Sequence, residues 1–120
     1  MGWLARLLGT SGGTEIATPS ADAATALAPG TVLIDVRSDG EFNAGHIEGA
    51  VSVPLDRIQF EIARVAPDPT VPLLLYCQSG GRSGSACRIV AAMGYESVRN
   101  GGGIGSLSRA LGRPVTARGR

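Results

Sequence analysis

Leu73-Leu74-Leu75-Tyr76-Cys77-Gln78-Ser79-Gly80-Gly81-Arg82-Ser83 is the stretch from which both the fold and the chemistry of this chain are read. Leu73 to Tyr76 is its most apolar strand-like run, as expected at a sheet centre covered on both faces. The run leads straight into a cysteine and a pair of glycines. Beyond them Ala86, Ile89, Val90 and Met93 recur at helical spacing, and Gly94 ends the pattern, which predicts a helix with those four on its core face. Cys87 falls near that stripe and reads as a core residue. Cys77 therefore sits where a central strand turns into the start of a helix.

Working outward, Val32-Leu33-Ile34 is a second buried strand ending in Asp35-Val36-Arg37. A short strand fits Ala50 to Val53 and is stopped by Pro54. Leu55, Ile58, Ile62 and Val65 predict a helix from Asp56 to Ala66, closed by Pro67 and Pro69. Downstream, Glu96 to Arg99 suits a last short strand. Gly101-Gly102-Gly103 suits a flexible or tightly turning loop, Ser106 to Leu111 a short helix, and the segment from Pro114 a loose tail. Upstream, Gly9 to Gly13 reads as a linker, and Thr18-Pro19 as the start of a helix that ends by Pro29-Gly30.

Strands thus alternate with helices. The fold class implied is α/β, a doubly wound domain whose mostly parallel central sheet carries helices on both faces. Its expected extent is residues 14–116, after a flexible extension of residues 1–13 and before a tail of residues 117–120. Ligands of such folds bind beyond the carboxyl ends of the strands, where Cys77 lies.

Composition narrows the function. The chain has 120 residues, enough for one domain. Its two cysteines match neither a disulfide scaffold nor zinc-ligand spacing, so no metal and a reducing, cytoplasmic location are expected. A net charge of +1 gives no electrostatic case for nucleic acid. All eleven basic residues are arginine, so any cation at a site other than the amino terminus is an arginine or His46. Residues 1–8 are apolar but too short to span a bilayer, and Arg6 breaks both a signal-peptide core and a myristoylation pattern. Trp3, Leu4, Leu7 and Leu8 suit either a weak surface anchor or an extension that frays or packs on the domain, and the second reading is preferred.

Residues 77 to 83 carry the chemistry. Gly80 and Gly81 let the backbone curl so that several N–H groups point at one spot. The helix start adds unpaired donors and partial positive charge, and Arg82 a planar fork of donors. Ser79 and Ser83 supply hydroxyls. Such an anion cradle favours the thiolate of Cys77, its nucleophilic form. The competing reading, a small buried cysteine before an ordinary turn, leaves the glycines, the arginine and the strand-to-helix position unexplained.

Cys77-x-x-Gly80-x-Arg82-Ser83 resembles the active-site loop of rhodanese-type sulfurtransferases. Leu33-Ile34-Asp35-Val36-Arg37, Glu41-Phe42, Gly45-His46-Ile47-x-Gly49-Ala50, Val53-Pro54, Gly94-Tyr95 and Gly102-Gly103-Ile104 match the same family in order and spacing. Leu107 stands about where the family often has tryptophan. The resemblance implies that Cys77 is the catalytic residue. It takes sulfane sulfur from a small anionic donor such as thiosulfate or from a persulfide. As a persulfide it passes that sulfur to cyanide, a thiol or a protein acceptor. Gln78, Ser79, Gly80, Gly81, Arg82 and Ser83 would bind substrate, Arg82 either holding the donor or ordering the loop. No cofactor, metal, membrane span or second copy of the chain is implied.

Asp35, Arg37 and His46 are candidates for supporting positions. Asp35 and Arg37 share one face of an extended chain. They could contact the donor, but an ion pair fixing the loop is preferred. His46, the only histidine, reads as hydrogen-bonded scaffold rather than general base. Phe42 and Ile47 read as core.

Two rivals remain. One is a cysteine phosphatase or arsenate reductase, whose similar loop is one residue longer; here four residues separate Cys77 from Arg82. The other is a partner-binding module, or a persulfide carrier that serves one partner without free turnover.

Overall fold

The computed structural model describes residues 27–117. The expected extension, linker and first helix lie outside the described residues, apart from the end of that helix. Elements follow in the order β1 (Val32–Asp35), α1 (Asp39–Ala44), β2 (His46–Ile47), β3 (Val51–Ser52), a 3-10 turn (Leu55–Arg57), α2 (Ile58–Val65), β4 (Leu73–Cys77), α3 (Gly81–Ala92), β5 (Val98–Gly103), α4 (Ile104–Leu111) and β6 (Val115–Thr116).

Four strands form a parallel sheet in the order β3-β1-β4-β5. The chain adds strands first on one side of β1 and then on the other, which is the doubly wound pattern. Both inner strands are apolar, as the sequence requires: Leu33 and Ile34 on β1 and Leu73 to Cys77 on β4 are at most 3% exposed. Pleating splits them between two cores. Ile34, Leu73, Leu75 and Cys77 pack on one face against Ile58 and Ile62 of α2 and Ala86, Cys87 and Val90 of α3. Leu33, Leu74 and Tyr76 pack on the other against Phe42 of α1 and Ile104 and Leu107 of α4. Helices therefore cover both faces.

This arrangement places the site. The chain leaving β1 goes to α1 on one face, and the chain leaving the adjacent β4 goes to α3 on the other. The crevice that opens where neighbouring strands send their connections to opposite sides is the binding position of open α/β sheets. Val36 to Ser38 and Gln78 to Gly80 are its two walls.

Several local expectations are corrected. Met93 is 44% exposed rather than core, because it lies beyond the last residue of α3, as its C-cap, where the helical face no longer continues. Gly101 to Gly103 is not a loop: β5 runs through it, beside β4, with a register irregularity opposite Leu75 and Tyr76. A Cβ at Gly103 would stand 2.7 Å from the Gln78 carbonyl oxygen, so only glycine lets the strand lie against the loop there. The segment after Pro114 is not loose, since Val115–Thr116 pairs antiparallel with His46–Ile47. The helix Asp39–Ala44 was not expected from periodicity. Its start is a capping box: Ser38 accepts from the Glu41 amide, and the Glu41 carboxylate accepts from the Ser38 amide.

Leu107, at the family's tryptophan position, is 2% exposed and closes the α4 side of the core. Leu107→Ala is expected to cost about 2–5 kcal/mol of unfolding free energy by urea titration, the range for a truncated buried leucine.

Candidate active site

Cys77 is the last residue of β4, and α3 begins four residues later at Gly81. Its side chain lies on the face covered by α3, and the residue is 1% exposed. The N-cap residue of α3 is Gly80, which has a left-handed φ of 101° and no side chain with which to cap. The Cys77 sulfur takes that duty. It accepts from the Gly80 amide at 3.0 Å and from the Ser83 amide at 3.4 Å. Ser83 is the third residue of the helix, whose amide an N-cap side chain would ordinarily satisfy.

The electrostatics follow from this geometry. Burial pushes the Cys77 thiol up, but the Ser83 hydroxyl and the amides of Ser83, Ser79 and Gly80 outweigh it and leave the group below its ordinary value. The other cysteine behaves oppositely. Cys87 is buried in the core under α3, and burial pushes its thiol up to about 12. Of the two, Cys77 is the thiol whose surroundings favour the thiolate, and both thiols are free.

The Ser83 hydroxyl has one proton and three acceptors in reach: Asn100 Oδ1 at 2.7 Å, the Gly80 carbonyl at 3.1 Å and the Cys77 sulfur at 3.5 Å. Asn100 is itself fixed, since its Oδ1 accepts from the Gly102 amide at 2.9 Å and its Nδ2 donates to the Gly80 carbonyl at 3.2 Å. Asn100 therefore ties the loop to β5. Sequence reasoning missed it, having ended the strand at Arg99. The available signal was a polar residue of poor strand propensity set against a glycine run.

The supporting residues fall on the opposite face, with Tyr76. Asp35 is fully buried and Arg37 is 5% exposed. Asp35 accepts from Arg37 Nη2 at 2.8 Å, from its Nε at 3.0 Å and from its backbone amide at 2.9 Å. Arg37 also donates to the Gly45 carbonyl and, at 3.4 Å, to Gln78 Oε1. The preferred reading of this pair, an ion pair fixing the segment after β1, matches the geometry. His46 is buried, stacks on Phe42 with ring centroids 3.7 Å apart, and has Nδ1 2.9 Å from the Phe42 carbonyl. A carbonyl only accepts, so Nδ1 carries the proton. That is a scaffold setting. Phe42 and Ile47 are core as expected.

Arg82 is placed differently from the simplest expectation. Its Nη1 donates to Glu41 Oε1 at 2.7 Å and its Nη2 to Oε2 at 3.1 Å, a two-pronged pair with α1 across the crevice. The Arg82 guanidinium, with help from Ser38, pushes the Glu41 carboxyl down to about 2. No spacing rule links residues 41 apart in sequence, so the pairing was not legible beforehand. Among the described residues no cluster of ligating side chains could hold a metal ion.

A sulfur held by loop amides at a strand-to-helix turn, within a doubly wound domain, defines a rhodanese-type site. The family model described as "Rhodanese-like domain" matches residues 20–105, and the chain belongs to that family. It is 36% identical over 75 residues to thiosulfate sulfurtransferase PspE of Escherichia coli, covering 62% of this chain and 72% of that one. To the thiosulfate:glutathione sulfurtransferase of Saccharomyces cerevisiae it is 35% identical over 81 residues, covering 58% of each. Among solved structures, a rhodanese from Escherichia coli described with anions superposes with a TM-score of 0.65 at 32% identity, covering 73% of this chain and 99% of that one. A human single-domain sulfurtransferase does so with a TM-score of 0.55 at 30% identity, covering 62% and 76%.

Removing the Ser83 hydroxyl removes a donor to the thiolate. In Ser83→Ala the midpoint of the pH–rate profile for iodoacetamide alkylation of Cys77 is expected to move to higher pH. The rate below the midpoint should fall roughly threefold.

Proposed function

We propose that Cys77 carries sulfane sulfur as a persulfide between a donor, thiosulfate or a persulfide, and a thiol, cyanide or protein acceptor. The broader class, a sulfurtransferase of the thiosulfate sulfurtransferase type, follows from family membership and from relatives so named. The observation that carries the finer reading is the Cys77 sulfur accepting the Gly80 and Ser83 amides. Those donors stabilise a thiolate, and a persulfide anion one bond further out meets the rest of the same loop.

In the loading step the Cys77 thiolate attacks the outer sulfur of thiosulfate. The S–S bond of the donor breaks, sulfite leaves with the electron pair, and Cys77 holds S–S⁻. In the unloading step an acceptor thiolate attacks the terminal sulfur and Cys77 leaves as thiolate. No base is needed, because both cysteine forms are anions held by amides. Gln78, Ser79, Gly80, Gly81 and Ser83 form the cradle. Arg82, paired with Glu41, borders the loop at its outer edge, while Asn100 orders it; Arg37 steadies Gln78, and His46 and Asp35 hold the neighbouring segment. The chemistry calls for no cofactor and one copy of the chain, folded over residues 14–116. A cytoplasmic site of action suits two free thiols. No helix among the described residues is long and apolar enough to cross a membrane.

Phosphoryl chemistry fits less well. A tetrahedral oxyanion over Cys77 would want the Arg82 guanidinium, which is paired with Glu41. A purely partner-binding role leaves the intact, thiolate-favouring cysteine without a use.

The test is the intact mass of reduced protein before and after thiosulfate. The parent and Cys87→Ser are expected to gain one sulfur, and Cys77→Ser none. A gain retained in Cys77→Ser would refute the assignment.

A further inference from the structure

Glu41 does two jobs with one carboxylate. As the third residue of α1 it closes the capping box, its Oε1 accepting the Ser38 amide and the Ser38 hydroxyl, each at 3.0 Å. The same oxygen accepts Arg82 Nη1, and Oε2 accepts Arg82 Nη2. Arg82 is the second residue of α3, within the loop that holds the Cys77 sulfur, and its guanidinium is close enough to feel the Cys77 charge. The pair is open to solvent, with side-chain exposures of 41% for Arg82 and 36% for Glu41. It forms the outer rim of the crevice.

The charge balance at this rim is the point. Among the described residues, Arg37 reaches Gln78 of the loop and Arg82 lies within it. Arg37 is matched by Asp35 and Arg82 by Glu41. The formal charges cancel in each pair, so neither adds net charge, and an anion is drawn by the loop's amides and hydroxyls. Amides and a helix start favour one negative charge at short range. They offer a second negative charge no matching cation, because the Arg82 guanidinium is already taken up by Glu41.

We propose that Glu41 sets the donor preference of the site: by holding Arg82 and facing the entrance, it disfavours dianionic donors such as thiosulfate and favours singly charged or uncharged organic persulfides. This rests on the sulfurtransferase reading above. With such a donor, written RS–SH, the Cys77 thiolate attacks the outer sulfur and the S–S bond of the donor breaks. The thiolate RS⁻ leaves with the electron pair, and the transferred sulfur keeps its proton. Atoms and charge balance without an oxidant or reductant.

Glu41→Gln separates the charge from the scaffold. Glutamine serves a capping box as well as glutamate, so α1 keeps its start, and circular dichroism should superpose on that of the parent. The neutral side chain no longer cancels the Arg82 charge and leaves that guanidinium to anions. Alkylation of Cys77 with anionic iodoacetate and neutral iodoacetamide reads this without any sulfur transfer. The iodoacetate-to-iodoacetamide rate ratio is expected to rise about threefold at low ionic strength and to return toward the parent value in high salt. In turnover, KM for thiosulfate is expected to fall about tenfold with kcat within about twofold. The specificity constant for 2-hydroxyethyl hydropersulfide should move by less than about twofold, since that donor carries at most one charge. An unmoved alkylation ratio, or equal gains with both donors, overturns the role of Glu41. A moved ratio in a protein that takes up sulfur from neither donor overturns the transferase reading, and the donor assignment with it.

Discussion

The contact on which this site depends is the one between a sulfur atom and the first turn of a helix. A helix start leaves amides unsatisfied, and in most helices an N-cap serine, threonine or aspartate takes them up. Gly80 cannot, and the Cys77 sulfur accepts in its place. Favouring the thiolate and anchoring the helix are therefore one interaction. The donors that hold α3 in place are those that favour the thiolate, and the strand-to-helix turn cannot be rearranged without altering both. The residues around it, Asn100 on the β5 side and the Arg37–Gln78 contact on the β1 side, keep the turn in register with the sheet.

The sheet supplies the second constraint. Pleating sends Cys77 to one face and Tyr76 to the other, and each face has its own apolar core. The buried Asp35–Arg37 pair lies with Tyr76, away from the sulfur. Tyr76 extends the same scaffold: its buried hydroxyl accepts the Ile47 amide at 3.0 Å and so ties β2 to the sheet. Truncating either partner of the Asp35–Arg37 pair would strand a buried charge, which makes such a pair costly to break even where its net contribution to stability is small. Its value here is geometric. It fixes the segment that leaves β1, and with it the crevice wall that faces the Cys77 loop.

Much of this was legible in the sequence. The two central strands announce themselves as apolar runs, and Ile58 and Ile62 announce the inner face of α2, because burial on both faces or on one stripe leaves a compositional trace. Cys77, its glycines and the helix start were legible for the same local reason. What could not be read depends on distance along the chain. The Glu41–Arg82 pair joins two helices on opposite sides of a crevice, and the β2–β6 pairing joins strands of two residues each, too short to show alternation. Asn100 and the glycines after it were misread because a strand that packs against backbone rather than side chains loses the residues by which strands are recognised.

That same bare strand has a bearing on how such a site diversifies. Gly103 backs onto the Gln78 carbonyl, and at Gly101 a methyl group would come within 2.8 Å of Leu107. Gly80 is held by its left-handed backbone. Ser79 is exposed, and a side chain at Gly81 would meet nothing within 4 Å. Variation is therefore channelled: one side of the loop is closed to nearly every substitution, while two positions on its mouth are open to most. Lineages and laboratory libraries alike can redraw the entrance at residues 79 and 81 while the sulfur and its amides pass through unchanged.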